Sequence, residues 1–277
     1  MACQMNRNEK DGVVYLTFPA LEQFPFLRHA FSTRLGGVSQ GCFASMNLGF
    51  GRGDKRETVL RNYHIFCDAV GFDFNKLVAS AQDHHTVIRR VSGEQAGIGI
   101  WRLKDRFSVD GLCTDEPGVV LVTYYADCVP LYFVDPVRKA VGLAHAGWRG
   151  TAARIGAEMV KKLNMEFGSE AKDIHAAIGP SIGPCCYEVD QPVADIFYSL
   201  EDLRPQEFVT RKDDGKFMLD LWECNRRILA AAGIPETNIT VGGLCTKCNS
   251  DLLFSHRVMG TDRGSLAAMI ALREERE

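Results

Sequence analysis

The sequence predicts an α+β fold, a single domain of mixed β-sheets flanked by helices, and three features lead there. The middle of the chain holds apolar runs of strand type at 119–125, 131–134 and 140–144. The last two are separated only by Asp135-Pro-Val-Arg-Lys139, a connection suited to a hairpin. Segments of helical spacing lie between other strand-like runs. Strands joined by both hairpins and helices point away from a doubly wound parallel sheet.

In chain order, residues 1–11 are polar and mixed in charge and read as a flexible end. Residues 13–18 alternate as a strand, and 28–33 read as another, closed by the turn chemistry of Leu35-Gly36-Gly37. Residues 57–70 predict a helix, with Val59, Tyr63, Phe66, Cys67 and Val70 on one side and Gly71 placed to end it. Short strands are expected at 76–81 and 86–91, flanking His84 and His85. After the central hairpin, Ile155, Met159, Val160 and Leu163 set the spacing of a helix over 151–164. A helix at 221–232, a strand at 239–244 and a final helix at 265–275 complete the reading. No internal repeat and no linker divides the 277 residues, so one domain spans 1–277.

Composition narrows the function. A net charge of -3 from 32 basic and 35 acidic residues gives no electrostatic reason to expect nucleic acid or an anionic membrane. No stretch approaches the roughly 20 apolar residues of a membrane span, and the N-terminus lacks the apolar core of a secretory signal. A cytoplasmic protein is expected, monomeric or homodimeric. In such a compartment the ten cysteines remain thiols, available for packing, metal binding or catalysis.

If Val134 and Ala140 close the hairpin, Cys128 falls opposite Ala146 and Val129 opposite His145. Cys128 and His145 are then close but on opposite faces. A bulge at Pro130, which cannot donate a ladder hydrogen bond, would restore a common face. Gly147 and Gly150 permit close backbone approach, and Arg149 with the following helix N-terminus suggests a cradle for phosphate or carboxylate. Each residue alone has a bland reading, since cysteine is commonly buried packing and a lone histidine commonly a satisfied polar group. Their convergence favours a site.

Thr123-Tyr-Tyr-Ala-Asp-Cys-Val-Pro130, His145-Ala-Gly-Trp-Arg-Gly150 and Ile178-Gly-Pro-Ser-Ile-Gly-Pro-Cys-Cys-Tyr-Glu-Val189 resemble the YfiH-like family. Its members have been named laccase-like polyphenol oxidoreductases and purine nucleoside phosphorylases. Phe31-Ser-Thr-Arg-Leu-Gly-Gly-Val-Ser39, Asn47-Leu-Gly49, Ser108-Val-Asp-Gly-Leu-Cys-Thr114, Cys245-Thr-Lys-Cys248 and Phe254-Ser-His-Arg257 match further motifs in order. The resemblance implies a zinc site of His84, Cys128 and His145, with copper as the alternative metal. Gln82-Asp83-His84 matches the motif that supplies the first histidine, and His85 is the competing imidazole. One thiolate and two imidazoles leave a fourth position open, as catalytic zinc requires.

By that resemblance the substrates are small molecules, a nucleoside (adenosine, inosine, guanosine or methylthioadenosine) and phosphate. Adenosine deamination is implied as a second activity, since zinc can bring a bound water to neutral pKa. Arg149 is expected to hold phosphate, Arg34 to contact substrate or phosphate, and His145 or Asp110 to protonate the departing purine. Three alternatives stand beside it: a metal-free Cys–His hydrolase, a copper-dependent polyphenol oxidase, and an editing factor for cell-wall precursors. Only seven histidines argue against a multicopper cluster. Cys245 and Cys248 have metal-knuckle spacing, but without a second pair at that spacing a packed turn is expected, and Cys185-Cys186 reads as a tight turn.

Overall fold

A computed structural model of the chain describes residues 3–274. Its strands are β1 (Asn6–Lys10), β2 (Val13–Thr17), β3 (Leu27–Ser32), β4 (Leu77–Ala79) and β5 (Ile88–Arg90). The hairpin region adds β6 (Gly111–Thr114), β7 (Val120–Tyr125), β8 (Val129–Asp135), β9 (Ala140–Ala146) and β10 (His175–Ile178). Then come β11 (Glu188–Val189), β12 (Val209–Arg211), β13 (Phe217–Leu219), β14 (Ile239–Val241) and β15 (Leu266–Leu272). The helices are α1 (Pro19–Glu22), α2 (Arg56–Val70), α3 (Trp148–Ala152), α4 (Ile155–Phe167), α5 (Gln191–Tyr198), α6 (Leu221–Ala231) and α7 (His256–Met259).

Two six-stranded sheets, ordered β1-β2-β3-β15-β7-β4 and β14-β10-β8-β9-β6-β5, carry the fold, with a small sheet β11-β13-β12 beside the second. Parallel pairs (β4 with β7, β5 with β6, β10 with β14) stand among antiparallel ones, so both large sheets are mixed. The sheets pack face to face through Phe31, Leu121 and Ile270 on one side and Tyr132, Val141 and Leu143 on the other. The outer face of the first sheet is covered by Val59, Tyr63 and Phe66 of α2. Met159 and Leu163 of α4 and Ile228 and Leu229 of α6 cover the second. This helix–sheet–sheet–helix layering explains the apolar runs. β8 sends Leu131 and Phe133 to the helices and Tyr132 and Val134 to the opposite sheet, so both faces need apolar residues.

The predicted α2 forms as read, and Gly71 ends it at φ 88 with its N–H on the Cys67 carbonyl. Three expectations need correction. Residues 6–10 form β1 and pair with β2 where a flexible end was expected, because Asp11 and Gly12 both take positive φ (52° and 78°), as a two-residue hairpin turn requires. The expected helix over 151–164 is split, with Arg154 at φ 59 between α3 and α4. Most of the last expected helix is β15, wholly buried between β3 and β7, while Glu275 lies outside the described residues. Among the described residues no helix is long and apolar enough to cross a membrane.

Candidate active site

The hairpin itself brings Cys128 and His145 together. Pairing runs one residue out from the expected register, with Asp135 opposite Ala140, Val134 opposite Val141 and Pro130 opposite His145. Asp135 joins the strand because its carboxylate accepts the N–H groups of Val137 and Arg138, tightening the turn. The ladder is continuous through Pro130, and no bulge is needed. His145 gives its N–H to the Asp110 carbonyl on the far side, so the missing proline N–H breaks no bond to β9. Cys128, two residues before Pro130, therefore shares the face of His145, the face turned toward the first sheet.

Both other ligand-bearing segments cross between the sheets. Residues 80–87 link β4 in the first sheet to β5 in the second, and 126–128 link β7 to β8. The Gln82 side chain accepts from the Tyr124 N–H (2.6 Å) and donates to the Tyr124 carbonyl (2.8 Å), standing in for a neighbouring strand residue. Beyond it, His84 takes φ 73, and Asp127 takes φ 86. Such left-handed backbone at non-glycine residues costs about 1–3 kcal/mol each and persists where surroundings impose it. What imposes it at His84 is Asp110. This carboxylate is wholly buried, accepts the N–H groups of Asp83, His84 and His85 at 2.9–3.2 Å, and lies 2.8 Å from His145 Nδ1.

With Nδ1 committed to Asp110, His145 turns Nε2 to the site. His84 Nε2 lies 3.9 Å from Cys128 Sγ, and the two imidazoles cross at 75° with centroids 4.9 Å apart. One ligand atom from each of His84, Cys128 and His145 falls within 4.8 Å of the others, spacing that a single metal ion can bridge. His85 instead points to solvent and pairs with Asp83 at 3.1 Å. Gly147 closes the floor, where a Cβ would stand 2.8 Å from the His84 ring and 3.1 Å from Cys128 Sγ. Burial acting alone would raise the Cys128 thiol, but the His145 charge and hydrogen bonds from both histidines outweigh it and bring the thiol to about 6. Burial likewise opposes His145, yet Cys128 and Asp110 raise it to about 9. The site stabilises a thiolate, the form a metal binds.

A family model described as multi-copper polyphenol oxidoreductase laccase matches residues 28–273. Purine nucleoside phosphorylase YlmD of Geobacillus stearothermophilus is 42% identical over 250 residues, covering 89% of each chain. The Bacillus subtilis protein of the same name is 39% identical, covering 88% of each. The crystal structure of Bacillus licheniformis hypothetical protein YfiH superposes with a TM-score of 0.89 at 36% identity, over 96% of this chain and 99% of that one. The chain belongs to the YfiH-like, laccase-like family.

Two cavities flank the cluster in this YfiH-like chain. One, of about 220 Å³, touches His84, Cys128 and His145 and is lined by Phe50, Arg52, Gln82, Lys104, Tyr124 and Arg263. The other, of about 240 Å³, runs past Trp148, Arg149, Tyr187 and Arg257. Arg149 is exposed, lies over the Trp148 ring at 4.1 Å and lines this second cavity. Arg34 lines neither cavity. Its guanidinium is spent on the Ala44 and Ser250 carbonyls and on the Phe254 ring, holding loops together. Asp110, expected to touch substrate, is sealed inside and acts by positioning the two histidines. The sequence reading passed over Arg263, which is only 7% exposed, has an Nε without a hydrogen-bond partner, and is lowered to about 10 by burial and by Arg52. The signal was available, since Arg263 lies just beyond the Phe254-Ser-His-Arg257 motif, but nothing local tells a buried arginine from a solvated one.

Proposed function

We propose that this protein is a metal-dependent purine nucleoside phosphorylase, acting on inosine, adenosine, guanosine and methylthioadenosine, with adenosine deamination as a second activity. Arg263 carries the reading. A guanidinium taken this far from water with Nε unpartnered costs several kcal/mol unless an anion meets it. It opens with Arg52 and Lys104 onto the cavity that touches Cys128 and His145, and none of the three forms an ion pair among the described residues. Phosphorolysis needs an anionic co-substrate beside the reacting carbon; hydrolysis and deamination do not. The relatives named purine nucleoside phosphorylase support the same conclusion.

The residues fit zinc. His84, Cys128 and His145 would hold it, leaving the cavity side open, and it would supply Lewis acidity there. Among the described residues no methionine lines either cavity, which disfavours the axial ligand of a blue-copper site. The chain's own groups do the rest. Arg263, Arg52 and Lys104 gather phosphate and aim an oxygen at the ribose C1′. Phe50 and Tyr124 offer aromatic walls to the nucleoside, while Asp110 keeps the two histidines in register. Inosine incubated with and without inorganic phosphate tests this. Hypoxanthine with an equal amount of ribose 1-phosphate is expected, and free ribose formed regardless of phosphate would exclude it.

A second reading rests on the contact of Cys128 with His84 and His145, which also suits a metal-free nucleophile and base. Trapping an acylated Cys128 by mass spectrometry in metal-free protein would favour it.

A further inference from the structure

The four cysteines expected to serve packed turns come together. Cys185 and Cys186 lie in the loop before β11, and Cys245 and Cys248 in the loop after β14, some sixty residues further along. Cys248 Sγ stands 3.6 Å from Cys185 Sγ and 3.4 Å from Cys186 Sγ, and all four sulfurs fall within 4.8 Å of one another. Sulfurs around a tetrahedral zinc at about 2.3 Å are roughly 3.8 Å apart, so the observed set brackets that spacing. The Gly183 N–H donates to Cys245 Sγ at 3.2 Å, the kind of hydrogen bond that steadies a ligating thiolate. Trp222 packs over Gly183, where a Cβ would meet its ring at 2.7 Å, and the Trp222 Nε1–H donates to Ser181, so the loop has little freedom to open.

We propose that Cys185, Cys186, Cys245 and Cys248 form a second metal site, a closed four-thiolate zinc centre that clamps two loops beside the active site. Four protein ligands and no open position make it structural, in contrast to the three-ligand cluster at Cys128. Loading exchanges protons for metal: each thiol that binds releases its proton to solvent, and no electron moves. The clamp has a mechanical target. Asp127, next to Cys128, accepts from Thr246 Oγ1 at 2.5 Å and from the Arg257 N–H at 2.6 Å, and its carbonyl accepts the Ile182 N–H. Both clamped loops thus reach the residue that sets the backbone of Cys128. Because Cys185 and Cys248 are exposed, the metal lies at the surface and a chelator can reach it.

Zinc content of the full-length protein, reduced and reconstituted without oxygen, tests this alongside the cobalt(II) spectrum. About two zinc ions per chain are expected in the wild type, about one in Cys128→Ala and about one in Cys245→Ser/Cys248→Ser. Cobalt-loaded Cys128→Ala should show the intense thiolate-to-cobalt charge-transfer bands of four sulfur ligands. A Cys128→Ala protein that binds no zinc and gives no such bands overturns the proposal, as does a disulfide between Cys186 and Cys248 in freshly reduced, metal-treated protein. If the double serine variant does not fold, the milder Cys185→Ser and the cobalt spectrum of Cys128→Ala still decide. One zinc in both wild type and Cys128→Ala would support this site while refuting the His84, Cys128 and His145 centre, so the two failures are distinct.

Discussion

Asp110 Oδ1 lies 2.8 Å from His145 Nδ1, and the same buried carboxylate holds the amides of Asp83, His84 and His85. One side chain thus orients one histidine directly and the other through its backbone. Burial works against the charge, but the bonds from His145 and from the loop amides hold the carboxyl below its usual range. Asp110→Asn should turn an amide N–H toward these donors and lower zinc affinity about 10–100-fold, the usual effect of losing a group that orients metal ligands. Zinc competition with a chromophoric chelator measures it. Unchanged affinity would mean that the loop holds itself.

Gly147 is required for space. Its backbone (φ -63, ψ 170) is ordinary for any residue, and the groups an alanine there would meet first are His84 and Cys128. Gly147→Ala should cost the fold no more than about 1–3 kcal/mol by overpacking, yet displace the His84 ring. Loss of zinc with cooperative unfolding preserved is the expected pattern. Full zinc occupancy would show that the ring does not need its present position.

Phosphate should separate the two arginines. Removing a charge-assisted hydrogen bond costs about 1.5–3 kcal/mol, so Arg263→Gln should raise KM for phosphate about 10–100-fold and leave KM for inosine nearly unchanged. Arg149→Gln should have the smaller effect on phosphate, because Arg149 is exposed and stacked on Trp148. The reverse ranking would move the anion to the Trp148 cavity.

Acid should weaken the fold at His29. The ring is buried, accepts the Phe18 N–H at Nε2 (2.8 Å), and is lowered by burial from 6.5 to about 4. Between these values the unfolded chain binds more protons, so stability rises with pH. The contribution is complete above about 6.5 and is lost as pH falls through about 4. Denaturant titrations at pH 7 and 4.5 should show His29→Gln losing about 2–3 kcal/mol less than the wild type over that interval. Equal losses would contradict the assignment.

The central hairpin was legible because strands buried on both faces must be apolar throughout, and 119–125, 131–134 and 140–144 are. Its register was not, because Asp135 reads as a turn residue and yet pairs in the strand. β15 was misread for a related reason. Its sequence, LAAMIAL, has high helix propensity, but the slot between β3 and β7 decides the outcome. Cys128 and His145 could be found because they share a hairpin. The role of Asp110 and the gathering of Cys185, Cys186, Cys245 and Cys248 depend on segments brought together only by folding, and local spacing shows no more of them than the Cys245-Thr-Lys-Cys248 knuckle.

Inosine phosphorolysis by Cys128→Ala, with zinc content measured on the same samples, tests the central claim most directly. The structure predicts that this variant folds, loses one zinc and releases no hypoxanthine, whereas the wild type releases it only when phosphate is present. Phosphate-dependent turnover persisting at the wild-type rate in Cys128→Ala would place the chemistry elsewhere.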